Sequence, residues 1–557
     1  MEAAALEVVR QVGEALHPVA EAFHSSPVAQ TLYHAHEVFQ EVLSVDHNLI
    51  PHMAWEQQAA TATGLSLSQF RFTLALFSTV LLAPGIRLFR SPTLRHLYAI
   101  ITGVLIIYYP FGSGIIHVAP MAVAAYVALL LVPRYAGVLS WCTVFPYLIY
   151  LHVVNASGES WKSGDMDFTG GAMVAVLKLI SICVCRQDSF RKNKEDLNSY
   201  QSAHQLTRCP SPLEFLSYLV GMGNLLAGPF FEFSDYKAFI ELKGPWDPKA
   251  ARPMPSSLLR GLAALAEGVW HMGVYLGLTL NDWNMDHYHS AWYYSQPFLI
   301  KCVAFCVIGL VYQLRYYFTW KITESSYALA GLDFVGYDAD GKPQWGRCRN
   351  CSFLGVWLAD SARNVPLNWN IATGTFLRRY VYERVAPRKG RPGFQSLLFT
   401  QLISAVWHGL YPGYVSFFVG TAVWIYFSQI LYKAEGYMPT AVVKSLPFRA
   451  IKILWTTFVL NYMAASFQLL DFAPSMRAYA SVGYFPFIVM LVVNVLGSFL
   501  RGKRSGGKGG ERGAKGKAAG AAGEDSGRNT PAVYSQTPTP KVRSVSDLAN
   551  GNGVKAE

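Results

Sequence analysis

The chain has 557 residues, of which 52% are hydrophobic and only 15% are charged, and its formal net charge at pH 7 is +12. An ordinary soluble domain carries about 25% charged residues, so this composition excludes a soluble globular protein. The apolar residues lie in blocks long enough for helices of roughly 20 residues, the length that crosses a bilayer. The sequence therefore predicts an all-α polytopic membrane protein, and we expect no nucleic-acid partner.

Three parts follow one another along the chain. Residues 1–64 are predicted to form an amphipathic N-terminal segment, because they lack the compact apolar block of a signal peptide. Residues 65–500 carry about eleven predicted passes, at 70–89, 97–116, 118–132, 138–154, 170–185, 258–280, 296–318, 394–411, 414–432, 450–470 and 479–500. The segment 212–229 is shorter and glycine-rich, which favours a re-entrant or interfacial helix. Residues 501–557 are too poor in apolar side chains to fold, which predicts a disordered tail that is first basic and then rich in Ser, Thr and Pro.

The distribution of charge orients the predicted passes. Residues 501–517 contain seven Lys or Arg and one Glu, and basic residues that flank a span stay on the cytosolic side. We therefore expect the C-terminus in the cytosol. The loop 155–168 contains three acids and one Lys, which favours the lumenal side. Its Asn-Ala-Ser sequence makes Asn155 a glycosylation candidate.

His408 lies in the predicted pass 394–411, within the apolar stretch SAVWHGLYPGY. A charged group inside a membrane is unfavourable by several kcal/mol, so an ionisable residue there is a candidate for function. Gly409 follows directly and Pro412 breaks the helix soon after, which leaves room for a substrate beside the ring. A core histidine whose hydrogen bonds are satisfied is the alternative that these residues leave open. Ser404 lies on the same helical face, but we expect it to pack and not to act as a nucleophile.

A polar and aromatic cluster lies upstream of this pass, in the stretch NWNIATGTFLRRYVYERV, and a run of cations follows it. Such a run is often only a solvated cytosolic loop. Cations beside a membrane histidine also suit a phosphate-bearing donor such as acyl-CoA, whose acyl chain would enter apolar protein. The predicted acyl-CoA-binding residues are Trp369, Thr373, Arg378, Arg379, Arg384 and Lys389.

Taken together, NWNIATGTFLRRYVYERV and SAVWHGLYPGY resemble the membrane-bound O-acyltransferase superfamily, in its lysophospholipid acyltransferase branch. The stretch GNLLAGPFFEFSDYKAFI at 223–240 resembles the Gly-Pro-x-x-Glu-x-x-Asp-Tyr segment of that branch. The stretch RYYFTWKITESS at 315–326 resembles its Tyr-Tyr-x-x-Trp-Lys segment, and MDFTGGAMVAVLKL at 166–179 is similar more loosely. The resemblance covers roughly residues 65–500 and is strongest to the fungal broad-specificity enzymes.

The resemblance implies a bundle of about eleven transmembrane helices around a reaction chamber, in which His408 and Asn370 form the active site. Burial favours a neutral imidazole, which can take the proton of a lipid hydroxyl. Asn370 would orient the acceptor or donate to the developing oxyanion. Acyl-CoA would be a substrate, so we expect no cofactor, and we expect no metal.

A second group of acids and aromatics could bind the head group of a lipid, including the cation of choline. An interfacial aromatic belt with structural ion pairs explains these residues equally well. The candidates are Glu232, Asp235, Tyr236, Tyr317, Trp320 and Glu324.

The predicted function is transfer of a fatty acyl chain from acyl-CoA to the free hydroxyl of a lysophospholipid, with the sn-2 hydroxyl expected from the family. The first alternative is an enzyme of the same fold with a sterol, diacylglycerol or protein acceptor. The second alternative is a transporter, which the basic run beside the Trp-Asn cluster disfavours. The resemblance implies the endoplasmic reticulum membrane and leaves a homodimer open.

Overall fold

The computed structural model describes residues 48–155, 166–191, 193, 197–385 and 393–505, together with a few residues between 26 and 38. Most of the predicted N-terminal segment, the tail from residue 506 onward and Lys389 lie outside the described residues. The described chain is mostly helical, and a short antiparallel hairpin pairs β1 (Phe334–Tyr337) with β2 (Pro343–Trp345). The prediction of an all-α polytopic membrane protein is confirmed.

The helices follow one another with short connections. The first half contains α1 (Ala54–Thr63), α2 (Leu67–Leu82), α3 (Pro92–Phe111), α4 (Val118–Leu131), α5 (Ala136–Asn155), α6 (Thr169–Asp188), α7 (Ser199–His204), α8 (Pro212–Val220), α9 (Phe233–Ile240), α10 (Leu258–Thr279) and α11 (Ala291–Ser295). The second half contains α12 (Phe298–Ala330), α13 (Phe353–Trp357), α14 (Ile371–Phe376), α15 (Glu383–Val385), α16 (Phe394–His408), α17 (Pro412–Glu435), α18 (Thr440–Val443), α19 (Leu446–Leu469), α20 (Phe472–Ala480) and α21 (Phe485–Ser505). Short 3-10 segments are Ala83–Leu88, Gly112–His117, Gly221–Leu226, Gly244–Trp246 and Met285–His289, and Leu377–Tyr382 is a π-helix.

Seven helical stretches of the described chain are long and apolar enough to cross a membrane. They are Leu67–Leu88, Pro92–Leu131, Ala136–Asn155, Thr169–Asp188, Phe298–Ala330, Pro412–Glu435 and Leu446–Leu469. An eighth is possible if Phe472–Ala480 and Phe485–Val495, which are bent by 79° against each other, form one broken span.

The predicted number of about eleven passes is not confirmed by this count, and the differences have physical causes. The stretch Pro92–Leu131 counts once although it has 40 residues, a length of about 60 Å if straight, or twice the thickness of a hydrocarbon core. The predicted pass 394–411 becomes α16, which has only 15 residues. In the predicted pass 258–280, α10 contains Arg260, Glu267 and His271, which lower its apolar character.

The helix α6 lies at the centre of the first half, and 16 of its 20 residues are buried. Lys178 in the middle of α6 is fully buried, so its ammonium group needs partners within the protein. Its Nζ donates to Oδ1 of Asn224 at 2.7 Å and to the carbonyl of Leu219 at 3.3 Å. The 3-10 segment Gly221–Leu226 is thereby tied to the central helix.

Three helices of the second half, α16, α17 and α19, meet at one turn. A Cβ atom at Gly413 would lie 2.1 Å from the carbonyl oxygen of Ser466, so only glycine allows α17 to begin this close to the end of α19. The Gly413 N–H donates to the carbonyl of Leu470, just beyond α19. This contact fixes the turn that directly follows α16.

Candidate active site

A large cavity lies among α12, α14, α16, α17 and α19. Its empty volume is about 1240 Å³, including its open mouth. His408 and Asn370, the two predicted active-site residues, both line this chamber. Most of its other lining residues are aromatic or aliphatic, and none of the described residues that line it is Lys, Arg, Asp or Glu. The chamber therefore suits an acyl chain and offers few polar groups to a reacting centre.

His408 is the last residue of α16. Gly409 ends the helix with a φ of 140°, a conformation that residues with a side chain rarely adopt. The imidazole is stacked on Phe418 with ring centroids 5.2 Å apart, and it lies edge-on to Phe467 at 4.9 Å. These two rings fix the plane of the imidazole and leave it partly accessible from the chamber.

Trp407, the residue before His408, is held by two other helices. Its indole Nε1 donates to the carbonyl of Met173 on α6 at 3.0 Å. Its own carbonyl lies 3.0 Å from Nε2 of His152, a buried residue on α5. The last four carbonyls of a helix have no partner inside that helix, so His152 supplies a donor that the end of α16 needs. Two spans of the first half thus fix the position of His408.

Asn370 caps the beginning of α14 in a left-handed conformation, with φ 46° and ψ 50°, which asparagine tolerates better than most residues. The side chain of Asn350 organises this turn. Its Oδ1 accepts from the N–H of Ala372 at 2.9 Å, and its Nδ2 lies 3.4 Å from Oδ1 of Asn370. This contact uses the oxygen of the Asn370 amide and leaves its Nδ2 group as the donor that a substrate could use.

An aromatic group extends the chamber wall from Asn370 towards α12. The ring of Trp369 lies 4.9 Å from that of Trp320 and 5.8 Å from that of Tyr316, and all three residues line the chamber. Tyr317 also packs against Trp369, at 5.3 Å, but it is fully buried and its hydroxyl donates to Gln313. Thr373 lines the chamber one turn after Asn370. The structure thus brings Trp320 together with the predicted acyl-CoA residues Trp369 and Thr373.

The three predicted arginines of the basic run lie beyond the chamber lining and carry ion pairs. Arg378 and Arg379 both contact the Glu383 carboxylate, at 3.0 and 2.7 Å. Arg384 makes two hydrogen bonds to the Asp188 carboxylate at the end of α6, at 2.7 and 2.6 Å. The π-helix Leu377–Tyr382 carries Arg378 and Arg379, and such wide turns are frequent at functional sites. Phosphate binding by these residues stays a prediction.

Glu232, the first head-group candidate, is buried away from the chamber lining. Its Oε1 accepts from the hydroxyls of Tyr200 at 2.6 Å and Tyr380 at 2.7 Å. Burial raises the pKa of the Glu232 carboxyl above its ordinary value, and neither the nearby His204 nor the two hydroxyls offset this effect. Through its two hydrogen bonds to Tyr200 and Tyr380, the carboxyl joins α7 to the π-helix.

Three other head-group candidates also have partners within the protein. Asp235 pairs with Arg347 at 2.8 Å, and the hydroxyl of the fully buried Tyr236 bonds to Ser217. Glu324, which is fully buried, contacts Arg260 and lies 3.1 Å from Lys321. These three candidates lie outside the chamber lining, and their role in head-group binding stays a prediction.

Asn155, the glycosylation candidate, is the last residue of α5. Its Nδ2 donates to Oγ1 of Thr169 at 3.0 Å, and this hydrogen bond joins the end of α5 to the beginning of α6. The two residues that complete its sequon lie outside the described residues. Glycosylation of Asn155 stays a prediction.

Three residues of the site were not among the predicted site residues. Asn350 precedes Asn370 by 20 positions and His152 precedes Trp407 by 255, so neither pairing has a local pattern. Gln468 near the end of α19 also lines the chamber. A polar residue in a predicted pass was the only available signal for His152 and Gln468, because such residues are rare within membranes.

A sequence profile of the membrane-bound O-acyltransferase family (MBOAT) matches residues 138–435 of this chain. The matched region contains Asn370 and His408 and most of the helices that surround the chamber. The fold and the family match are therefore those of an integral-membrane enzyme of acyl transfer.

Curated relatives agree over most of their length. Lysophospholipid acyltransferase 1 of Arabidopsis thaliana is 36% identical over 435 residues, which cover 77% of this chain and 94% of that protein. The lysophospholipid acyltransferase of Schizosaccharomyces pombe is 29% identical over 64% of this chain and 73% of that protein. Membrane-bound glycerophospholipid O-acyltransferase 1 of Mus musculus is 27% identical over 76% of this chain and 87% of that protein. The chain belongs to the membrane-bound O-acyltransferase family, as its motifs predicted.

Proposed function

We propose that the protein is an acyl-CoA:lysophospholipid O-acyltransferase, which transfers a fatty acyl chain to the free sn-2 hydroxyl of a lysophospholipid. The observation that carries this proposal is the chamber that has Asn370 and His408 on its walls. Its apolar lining and volume suit the hydrocarbon chains of both substrates. The names of the plant and fission-yeast relatives support the choice of a lysophospholipid as acceptor.

In the proposed reaction, His408 takes the proton of the lysolipid hydroxyl while the hydroxyl oxygen attacks the thioester carbonyl carbon of acyl-CoA. The Asn370 amide donates to the carbonyl oxygen as it becomes an oxyanion, and such a donor typically contributes about 3 kcal/mol. The carbon–sulfur bond then breaks, and the CoA thiolate takes the proton from the imidazolium. The step needs no covalent acyl-enzyme, and it needs no metal or cofactor.

The basic residues after Asn370 are proposed to guide the CoA moiety to the chamber mouth. Arg378 and Arg379 both contact the Glu383 carboxylate, and guanidinium groups of this kind bind phosphate oxygens in charge-assisted pairs. Lys389, which lies outside the described residues, is proposed to take part in the same binding. The proposal includes location in the endoplasmic reticulum membrane with a cytosolic C-terminus, a role in phospholipid synthesis and remodelling, and a homodimer as the assembled form.

The test uses membranes from cells that express the protein, incubated with labelled acyl-CoA and a panel of acceptors. The panel contains lysophospholipids with a free sn-2 or a free sn-1 hydroxyl, together with a sterol, a diacylglycerol and a serine-containing peptide. Membranes with His408→Ala supply the background at equal protein level. Label in the phospholipid made from the sn-2 lysolipid supports the proposal. Label that enters only the sterol, the diacylglycerol or the peptide would contradict the proposal and assign that molecule as the acceptor.

A further inference from the structure

Gln468 is the penultimate residue of α19 and lines the chamber. Its side chain is 2% exposed, and neither its Nε2 nor its Oε1 atom has a hydrogen-bond partner within the described part of the chain. A buried amide without partners opposes folding, and native proteins retain very few such groups. The arrangement is explained if a substrate in the chamber completes the hydrogen bonds.

The backbone of Gln468 is fixed close to the reacting ring. The preceding residue, Phe467, packs edge-on against the His408 imidazole with ring centroids 4.9 Å apart. The end of α19 is in turn held by the hydrogen bond from the Gly413 N–H to the Leu470 carbonyl. Gln468 therefore lies on a fixed stretch of backbone, on the same chamber wall as the residue that contacts His408.

The chemistry of the chamber narrows the group that this amide can bind. None of the described lining residues is Lys, Arg, Asp or Glu, so the lining does not suit a phosphate or a charged head group. Hydrocarbon chains accept no hydrogen bonds. The proposed reaction already assigns the acceptor hydroxyl to His408 and the thioester carbonyl to Asn370. Two kinds of polar group remain near the reacting atoms: the pantetheine amides of acyl-CoA and the ester that joins the existing acyl chain to the neighbouring glycerol carbon. Of these, only the ester belongs to the acceptor lipid and can be removed without changing the thioester donor.

We infer that Gln468 donates from Nε2 to the carbonyl oxygen of the sn-1 ester of the lysophospholipid, and so selects ester-linked over ether-linked acceptors. This inference rests on the proposed function, because it needs a lysophospholipid in the chamber. An ether analogue keeps the free hydroxyl, the head group and the chain, and it lacks only the carbonyl. Discrimination between the two lipids therefore reports this one hydrogen bond.

The experiment measures kcat/KM of the purified protein for 1-acyl and 1-O-alkyl lysophospholipids with equal chains and head groups. We expect the wild type to prefer the ester by about 3- to 10-fold, the range of one neutral hydrogen bond. Gln468→Met should bring the ratio close to one by lowering the value for the ester alone. Gln401→Met is the matched control, because Gln401 also lines the chamber, and it should keep the wild-type ratio whatever its total rate.

A thermal melt separates this role from a structural one. Gln468→Met removes two buried polar atoms that have no partner, so its melting temperature should equal or exceed that of the wild type. Equal use of both lipids by the wild type would overturn the inference and leave the proposed function intact. An equal loss on both lipids in Gln468→Met, or a clear fall in its melting temperature, would also overturn it. Acylation of neither lipid, with label in another acceptor, would remove the proposed function and the inference together.

Discussion

Replacement of His152 tests whether the placement of the reacting ring depends on the first half of the chain. His152→Ala removes the donor that lies 3.0 Å from the Trp407 carbonyl. An unsatisfied buried carbonyl is unfavourable by about 1–3 kcal/mol, and the structure around it can relax to reduce that amount. The cheapest relaxation is a shift of the end of α16, which carries His408. A displacement of about 1 Å from productive geometry can lower the rate by about 100-fold.

We therefore expect His152→Ala to lower kcat by about 10- to 100-fold, with little change in KM for either substrate. His152→Gln should restore much of the rate, because its Nε2 can reach the position of the imidazole Nε2. His152→Asn places its amide closer to the backbone, near the position of the imidazole Nδ1, and should not restore it. The assay is the initial rate of acyl transfer by purified protein at saturating acyl-CoA and lysophospholipid.

His117 provides the matched control for this prediction. It is another buried histidine of the first half, and its Nδ1 lies 3.0 Å from the hydroxyl of Tyr147. Neither His117 nor His152 lines the chamber. His117→Ala should lower the melting temperature without a comparable loss of kcat in the protein that remains folded. Wild-type kcat in His152→Ala, or equal impairment of the alanine and glutamine variants, would refute the positioning role.

Two further predictions concern buried carboxylates. Glu232→Ala leaves the buried Tyr380 hydroxyl and the half-buried Tyr200 hydroxyl without their acceptor, at up to about 1–3 kcal/mol each, so its melting temperature should fall, whereas Glu232→Gln should change it little. Burial raises the pKa of Glu232, so the stability that its protonated form contributes is present below the ordinary pKa and is lost as pH rises through the raised pKa. Glu232→Gln should therefore flatten this pH dependence of the melting temperature. A change of head-group preference in Glu232→Gln instead would show a role in binding. Arg384→Gln removes the bidentate partner of Asp188, whose side chain is 2% exposed. The destabilisation should be about 1–3 kcal/mol, less than for a fully buried pair, because Arg384 is partly exposed and Arg191 also contacts Asp188. Addition of Asp188→Asn should recover part of it, while a raised KM for acyl-CoA at unchanged stability would indicate phosphate binding.

The architecture and the two principal site residues could be predicted because they depend on local patterns. Apolar blocks of bilayer length indicate transmembrane helices without any knowledge of their neighbours. His408 stands out as an ionisable residue in such a block, and Asn370 lies in a motif that resembles those of a known family. The structure brings both residues to one chamber.

The contacts that hold these residues could not be predicted, because they join distant parts of the chain. His152 meets Trp407 across 255 positions, and Arg384 meets Asp188 across 196. A basic run looks the same in sequence whether its cations face solvent, a phosphate or a buried carboxylate. The ion pair of Arg384 with Asp188 therefore could not be foreseen when Arg384 was predicted to bind acyl-CoA.

The number of membrane passes could not be determined from local sequence patterns either. Pro110 and Pro120 suggested a break between two passes; α3 does end at Phe111 and α4 begins at Val118, but the 3-10 segment between them joins both into the one stretch Pro92–Leu131. At the other extreme, Gly409 ends α16 after 15 residues, inside a block whose hydropathy predicted a full pass. Helix ends within a membrane depend on which backbone groups find partners in the tertiary structure.

The central claim is that the imidazole of His408 takes the proton of the acceptor alcohol. Its most direct test is the single-turnover rate of acyl transfer to a lysophospholipid by purified His408→Ala, at saturating acyl-CoA and with folding verified by a thermal melt. A general base contributes about 100- to 10,000-fold to a rate, so the account predicts a loss within that range. Transfer at the wild-type rate by the folded variant would contradict it.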